Sequence, residues 1–174
     1  MLSFDIRSLE SQAVQVDGAL SPDDPVWQEG DPVPAGPLRV RGRLSSAGAP
    51  GRFYFSGELH GELNAECRRC LTDVPMSVDE NGLHLIFAEP GDEEAADDPD
   101  VYLIEGRARE LDLRPAIREH WLLSVPGYAE CGPDCKGLCP TCGTDLNSGS
   151  CDCTPTAADG RWDALRAIRS DAAE

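Results

Sequence analysis

The stretch that most limits what this chain can fold into runs from Cys131 to Cys153, C-GPD-C-KGL-C-PT-C-GTDLNSGS-C-D-C. It carries six of the eight cysteines, and the other two form a separate pair, Cys67-Arg68-Arg69-Cys70. Cys139-Pro140-Thr141-Cys142-Gly143 has the form of a metal knuckle, in which a tight turn followed by glycine aims two sulfurs at one ion. Tetrahedral zinc takes four thiolates, so eight cysteines suffice for two sites. Disulfides require an oxidising compartment, and the opening MLSFDIRSLE lacks the apolar run of a secretory signal. A redox Cys-x-x-Cys would open a helix after a strand in a βαβ unit, and neither pair is so placed. The residues point to structural zinc, with Cys67, Cys70, Cys131, Cys135, Cys139, Cys142, Cys151 and Cys153 as candidate ligands and one or two ions bound.

At 174 residues the chain makes one domain, or one domain with a small metal-stapled appendage. No apolar run is long enough to cross a membrane as a helix, so a soluble cytoplasmic protein is expected. The net charge of −17 repels phosphate backbones at long range and counts against generic nucleic-acid binding. It is compatible with a local basic face, with a basic protein partner, or simply with solubility.

Leu2, Phe4 and Ile6 alternate with polar residues, which predicts a first strand over Leu2 to Arg7, and Val14 and Val16 extend the pattern. Ser21 to Pro37 holds five prolines and reads as a long surface loop that Trp27 pins to the body. Leu38, Val40, Gly42 and Leu44 then alternate with Arg39, Arg41 and Arg43. After a turn, Phe53, Phe55, Gly57, Leu59, Gly61 and Leu63 alternate with Tyr54, Ser56, Glu58, His60 and Glu62. Period two puts each set on one face, giving two long antiparallel strands with a shared apolar side. The three arginines form a basic stripe, for which cross-strand pairing with Glu58 and Glu62 is the simplest expectation. His60 is expected in solvent.

The second strand runs into Cys67-Arg68-Arg69-Cys70, which reverses the chain into strands over Val74 to Val78 and Leu83 to Phe87. His84 is expected to be packed, and Arg68 and Arg69 exposed. Residues 89 to 100, EPGDEEAADDPD, carry too much charge and too little apolar surface to pack, and a mobile acidic loop is expected. Val101 to Ile104 returns as a strand. A helix is predicted from Glu110 to Val125, capped by Asp112, with Pro115 in its first turn and Pro126-Gly127 as its stop. Leu113, Ala116, Ile117, Trp121, Leu123 and Ser124 form the face it turns to the sheet. Asp159 begins a short last helix with Trp162, Leu165 and Ile168 on one side and Arg161, Arg166 and Arg169 on the other.

No Gly-rich phosphate loop is present, and no serine or cysteine nucleophile has a recognisable base. His60, His84 and His120 fall in three different elements. Four-thiolate sites leave no open position for a catalytic water, so a non-enzyme is expected.

The Cys-Arg-Arg-Cys-Leu after a long hairpin strand, the acidic loop, the LDLRPAIREHWLLSVP helix and the final cysteine run together resemble the YceD-like family, the large ribosomal RNA subunit accumulation proteins. The resemblance extends over nearly the whole chain, and its specific part is K-G-L-C-P-x-C-G-x-x-L-N, here Lys136 to Asn147. It implies a bacterial factor for accumulation or maturation of large-subunit (23S) ribosomal RNA, with no catalytic residues. The implied partners are a large-subunit precursor particle, a ribosomal protein or ribosomal RNA, with no small-molecule substrate and no membrane. An acidic, zinc-stapled interaction adaptor unrelated to ribosomes is the alternative, and a redox or metal-responsive sensor a third.

The expected fold is α+β, a predominantly antiparallel β-sheet with one main packed helix and a small cysteine-rich zinc-binding C-terminal segment. The sheet domain would span 1–126 and the zinc-binding segment, with its short terminal helix, 127–174. A helix ending at Val125 returns the chain to the sheet edge that carries Cys67 and Cys70. Those two are therefore grouped with Cys131 and Cys135, leaving Cys139, Cys142, Cys151 and Cys153 as a second set. A split zinc ribbon joining Cys67 and Cys70 to Cys139 and Cys142 is the competing arrangement.

Overall fold

The alternating residues of the central hairpin build the sheet on which everything else is mounted. A computed structural model of the chain describes residues 1–106 and 108–154. In chain order the elements are β1 (Ser3–Asp5), α1 (Ile6–Ser11), β2 (Val14–Leu20), β3 (Leu38–Ser46), β4 (Arg52–Glu66), β5 (Asp73–Ala88), α2 (Glu93–Ala96), β6 (Val101–Leu103), β7 (Glu110–Asp112) and α3 (Arg114–Ser124). The expected terminal helix at 159–169 lies outside the described residues.

Strands β2 to β6 form one sheet in sequence order, antiparallel except for the parallel pair β5–β6, and β1 pairs antiparallel with β7. The fold is α+β. Strand β5 runs unbroken through both expected strands, and the register between Gly57 and Leu59 shifts against it as a bulge. The inner face buries Leu38, Val40, Leu44, Phe53, Phe55, Leu59, Leu63, Val78, Leu83, Leu85 and Phe87. Helix α3 adds Ala116, Ile117 and Trp121 to this core, and α1 adds Ile6 and Leu9. Gly61 lets Trp121 reach the sheet: a Cβ there would lie 2.7 Å from the indole Cζ3 and 2.8 Å from Leu38 Cδ1.

The first strand is shorter than its alternation predicts. Asp5 caps a helix by accepting the Ser8 N–H at 2.9 Å, so Ile6 and Leu9 are buried at helical spacing. The main helix also begins later, because Glu110–Asp112 is recruited as β7 against β1. Leu113 holds the cap position, while Asp112 Oδ1 accepts the Arg114 N–H at 3.0 Å from just outside. Leu123 is 74% exposed and does not belong to the packed face; Leu122 packs there instead.

The proline-rich loop is held to the body more firmly than Trp27 alone would hold it. Trp27 is half-buried against the core and donates its Nε1–H to Ser21 O at 2.8 Å. From α3, Trp121 Nε1–H donates to Pro32 O at 2.6 Å, and Arg118 makes a two-pronged ion pair with Asp31 at 2.6 and 2.7 Å.

The acidic stretch contains one helical turn, α2, with Asp92 as its cap, accepting the Ala95 N–H at 3.1 Å. Arg52, forty positions earlier on β4, clamps Asp92 with two hydrogen bonds and reaches Glu94 at 3.2 Å. That guanidinium holds the Asp92 carboxyl down to about 2. The stabilisation is complete above the ordinary carboxylate value of 3.8 and is lost as pH falls through about 2. Asp92→Asn is expected to speed limited proteolysis within 89–100 at neutral pH while leaving the melting temperature nearly unchanged. In the unsubstituted chain, the same loosening in hydrogen exchange is expected only as pH is lowered from about 4 to about 2.

Candidate metal centres

The β4–β5 hairpin closes on its cysteine pair through backbone hydrogen bonds. Cys67 N–H donates to Thr72 O at 2.8 Å, Leu71 N–H donates to Cys67 O at 2.9 Å, and Thr72 Oγ1 lies 3.4 Å from Cys70 Sγ. The second pair repeats this geometry. Cys139 N–H donates to Thr144 O at 2.8 Å, Gly143 N–H donates to Cys139 O at 2.9 Å, and Thr144 Oγ1 lies 3.2 Å from Cys142 Sγ. The recurring unit is therefore C-x-x-C-x-T, Cys67 to Thr72 and Cys139 to Thr144, a local repeat that counting cysteines alone overlooks. Thr72 and Thr144 are the residues beside the thiols that sequence reasoning missed.

Both knuckles turn on a left-handed residue after the second cysteine, Gly143 with φ 74° and Leu71 with φ 60°. Leu71 is 58% exposed, so no packing recovers the cost of that conformation. Leu71→Gly is expected to raise stability by up to about 1 kcal/mol, the relief of left-handed strain less the entropy glycine adds to the unfolded chain. Leu71→Val should lower it, because β-branching is worst tolerated at positive φ. Paired thermal melts with zinc present check both signs.

After α3 the chain returns along the knuckle. Ala129 bridges Cys67 in parallel, and Arg68 N–H donates to Ala129 O at 2.9 Å. Arg68 also pairs with Glu130 and lies over the Tyr128 ring, 4.1 Å from its centroid. A turn, with Cys135 N–H donating to Gly132 O, then brings two further thiols to the first pair. Cys131 Sγ lies 3.6 Å from Cys70 Sγ, and Cys135 Sγ lies 3.9 Å from Cys67 Sγ. All four sulfurs lie within 4.8 Å of one another, as do those of Cys139, Cys142, Cys151 and Cys153. The chain thus gathers its eight thiols as two sets of four, and Cys67 and Cys70 do not join Cys139 and Cys142 as a split ribbon.

The connecting run explains its own sequence. Lys136 N–H donates to Asn147 Oδ1 at 2.8 Å, and Asn147 Nδ2 donates to Cys135 Sγ at 3.5 Å. Gly137, with φ 76°, accepts from Leu146 N–H, and a Cβ on it would lie 3.0 Å from Arg69 O. Leu138 N–H donates to Arg69 O at 2.8 Å, and the Leu138 side chain packs with Val74 against the first tetrad. Glycine, leucine and asparagine thus fold this run back onto the first tetrad.

Zinc bound by thiolates at about 2.3 Å spans a tetrahedron with sulfur–sulfur edges of about 3.8 Å. The 3.6 and 3.9 Å separations in the first tetrad match that edge, and four soft donors suit zinc. The electrostatics agree. Backbone N–H groups of Arg69 and Cys131 hold the Cys67 thiol down at about 6, and the Thr144 hydroxyl and backbone do the same for Cys142, also about 6. The neighbouring thiols of Cys135 and Cys70 push Cys131 up to about 12, and Cys142 pushes Cys153 up to about 12. Four thiolates this close repel one another, and a dication at the centre is what would let them ionise together.

The remaining candidates fall elsewhere. None of the three histidines joins either tetrad. His60 is exposed and paired with Asp79. His84 is exposed rather than packed, because it points away from the core between Leu83 and Leu85. Of the arginine stripe, Arg41 meets Asp17 on β2 at 3.7 Å rather than Glu58 or Glu62, and Glu62 lies opposite Ser77. No described helix is long and apolar enough to cross a membrane.

Residues 55–169 match the family described as Large ribosomal RNA subunit accumulation protein YceD. The chain is 36% identical over 138 residues to the maize protein named Large ribosomal RNA subunit accumulation protein YCED homolog 1, chloroplastic, covering 63% of this chain and 47% of that one. It is 25% identical over 143 residues to an uncharacterized Bacillus subtilis protein, YlbN, covering 82% of this chain and 80% of that one. An uncharacterized Mycobacterium tuberculosis protein is 35% identical over 95 residues, 53% of this chain and 44% of its own length. The chain thus spans about half the length of the maize relative. No solved structure matches it.

Proposed function

The chain belongs to the YceD family of large ribosomal RNA subunit accumulation proteins, and from that premise we propose that it is a non-catalytic ribosome-biogenesis factor. It supports accumulation or maturation of large-subunit (23S) ribosomal RNA in the cytoplasm. The observation that carries this reading is the family match itself, which begins in β4 and runs through both cysteine tetrads.

All eight cysteines serve as zinc ligands, one ion to each tetrad. Four thiolates fill the coordination shell, so the metal's work is to fold the C-terminal segment and fix what it carries. A sheet domain over 1–126 then presents a zinc-bound segment over 127–174, with Arg68, Arg69 and Lys136 at the join. The partner is a large-subunit precursor particle, met through a ribosomal protein or through its RNA. The charge of −17 favours basic protein surfaces for part of that contact.

Co-sedimentation of tagged protein on a gradient, with depletion in parallel, tests the reading. Migration with large-subunit precursors and a fall in large-subunit relative to small-subunit RNA are expected. Protein confined to the top of the gradient, together with normal ribosomal RNA after depletion, would contradict it and leave the adaptor reading in its place.

A further inference from the structure

The outer face of the sheet is open to solvent, and its charge is unevenly spread. Toward one end, Arg41 sits against Asp17 and opposite Glu58, and His60 pairs with Asp79. Between that end and Asp92 and Glu94, which Arg52 holds, the cross-strand neighbours carry no acid. Arg43 stands between Gln15 and Ser56, both uncharged, and no described residue offers it an ion pair. Ser56 in turn lies opposite His84, and Tyr54 opposite Ile86. The Tyr54 and His84 rings are parallel to within 9°, with centroids 5.8 Å apart, and a 2.7 Å hydrogen bond joins Tyr54 Oη to His84 Nδ1. His84 is exposed, and Ile86 beside it is 38% exposed.

Two parallel rings locked together, with Arg43 in the same cross-strand row as His84 and one strand away from Tyr54, offer what a single-stranded nucleotide needs. A base lies on the ring face and a phosphate meets the arginine, with little demand on sequence because every base has a π-face. We infer that Tyr54, His84 and Arg43 form a stacking site for single-stranded RNA, an inference that rests on the ribosomal reading proposed above. Duplex RNA keeps its bases inside the helix and cannot use the rings. An acidic peptide would satisfy Arg43 but leave the rings idle. Asp92 and Glu94, held by Arg52 two positions before Tyr54, border the ring end, so a phosphate is met on the opposite side, by Arg43. With the net charge opposing phosphate elsewhere, stacking carries the affinity, and the salt slope stays near that of a single phosphate contact, about −0.7.

The test uses the full zinc-loaded chain and fluorescence anisotropy with three probes: a labelled unstructured 12-nucleotide RNA, the same RNA annealed to its complement, and polyglutamate. The single strand is expected to bind best. Tyr54→Ala and Arg43→Glu should each weaken it about tenfold or more, with melting temperature and zinc content retained. Equal binding of duplex or polyglutamate, no binding of the single strand, or binding that both substitutions leave unchanged would overturn the inference. Ultraviolet crosslinking of the unsubstituted chain reads the site independently of folding in the variants. Adducts at Tyr54 or His84 support the inference, and adducts confined elsewhere overturn it. Failure here leaves gradient co-sedimentation and the depletion phenotype intact, whereas failure of the ribosomal reading removes both.

Discussion

Trp121→Ala is expected to cost about 3–5 kcal/mol, the range for deleting a fully buried large aromatic side chain. The indole is fully buried, it rests on Gly61, and its Nε1–H is the hydrogen-bond partner of Pro32 O. The facing sheet position, Gly61, has no side chain of its own with which to fill the space. Loss of that hydrogen bond also loosens the proline-rich loop, which Arg118 and Trp27 continue to hold. Chemical denaturation should therefore show a lower midpoint, and hydrogen exchange should rise over 28–35 as well as in α3. Trp121→Phe keeps part of the ring and should recover part of the midpoint, but not the loop protection, because it has no N–H to give Pro32.

Substituting cysteines one set at a time is expected to remove one metal at a time, with unequal structural cost. Cys131→Ser should lower bound zinc from about two to about one per chain, since the first site needs all four thiolates. That site ties 67–70 to 131–135, so its loss should also release the Ala129 bridge to Cys67 and raise exchange across 129–138. Cys142→Ser should remove the other ion and leave that bridge protected. Structural zinc contributes about 10–16 kcal/mol of binding free energy in small zinc-finger peptides, so either loss should be plain in a thermal melt. The larger drop is expected for Cys131→Ser, because its site closes the longer loop and carries the docking of the whole segment. A Cys142→Ser chain that loses protection around Cys67 would favour the split-ribbon arrangement.

Much of this was legible because it is written locally. Period-two alternation in Leu38–Leu44 and Phe53–Leu63 marks the two central strands, and β3 and β4 form there, paired antiparallel. The grouping of thiols was an inference from where a helix ending near Val125 can return the chain, with a split ribbon as its rival, and the sulfurs stand in the same two sets of four. What was illegible depends on partners far away in sequence. Leu2 to Ile6 alternates like a strand, but the Asp5 cap starts a helix at Ile6. Glu110 to Asp112 has helical propensity and is nevertheless drawn into pairing with β1. The acidic stretch looks unable to order until Arg52 arrives from another strand. The threonine of each knuckle was within reach, since C-R-R-C-L-T and C-P-T-C-G-T stand plainly in the chain; the leucine in place of glycine hides the match.

The most direct test of the two-centre arrangement is native mass spectrometry of the intact chain, purified without added metal or chelator. Two zinc ions per chain, released together with the loss of ordered structure in 129–153 on acidification or chelation, is the predicted result. A mass corresponding to the bare chain, to a single ion, or to a chain lighter by the hydrogens of paired disulfides would contradict it.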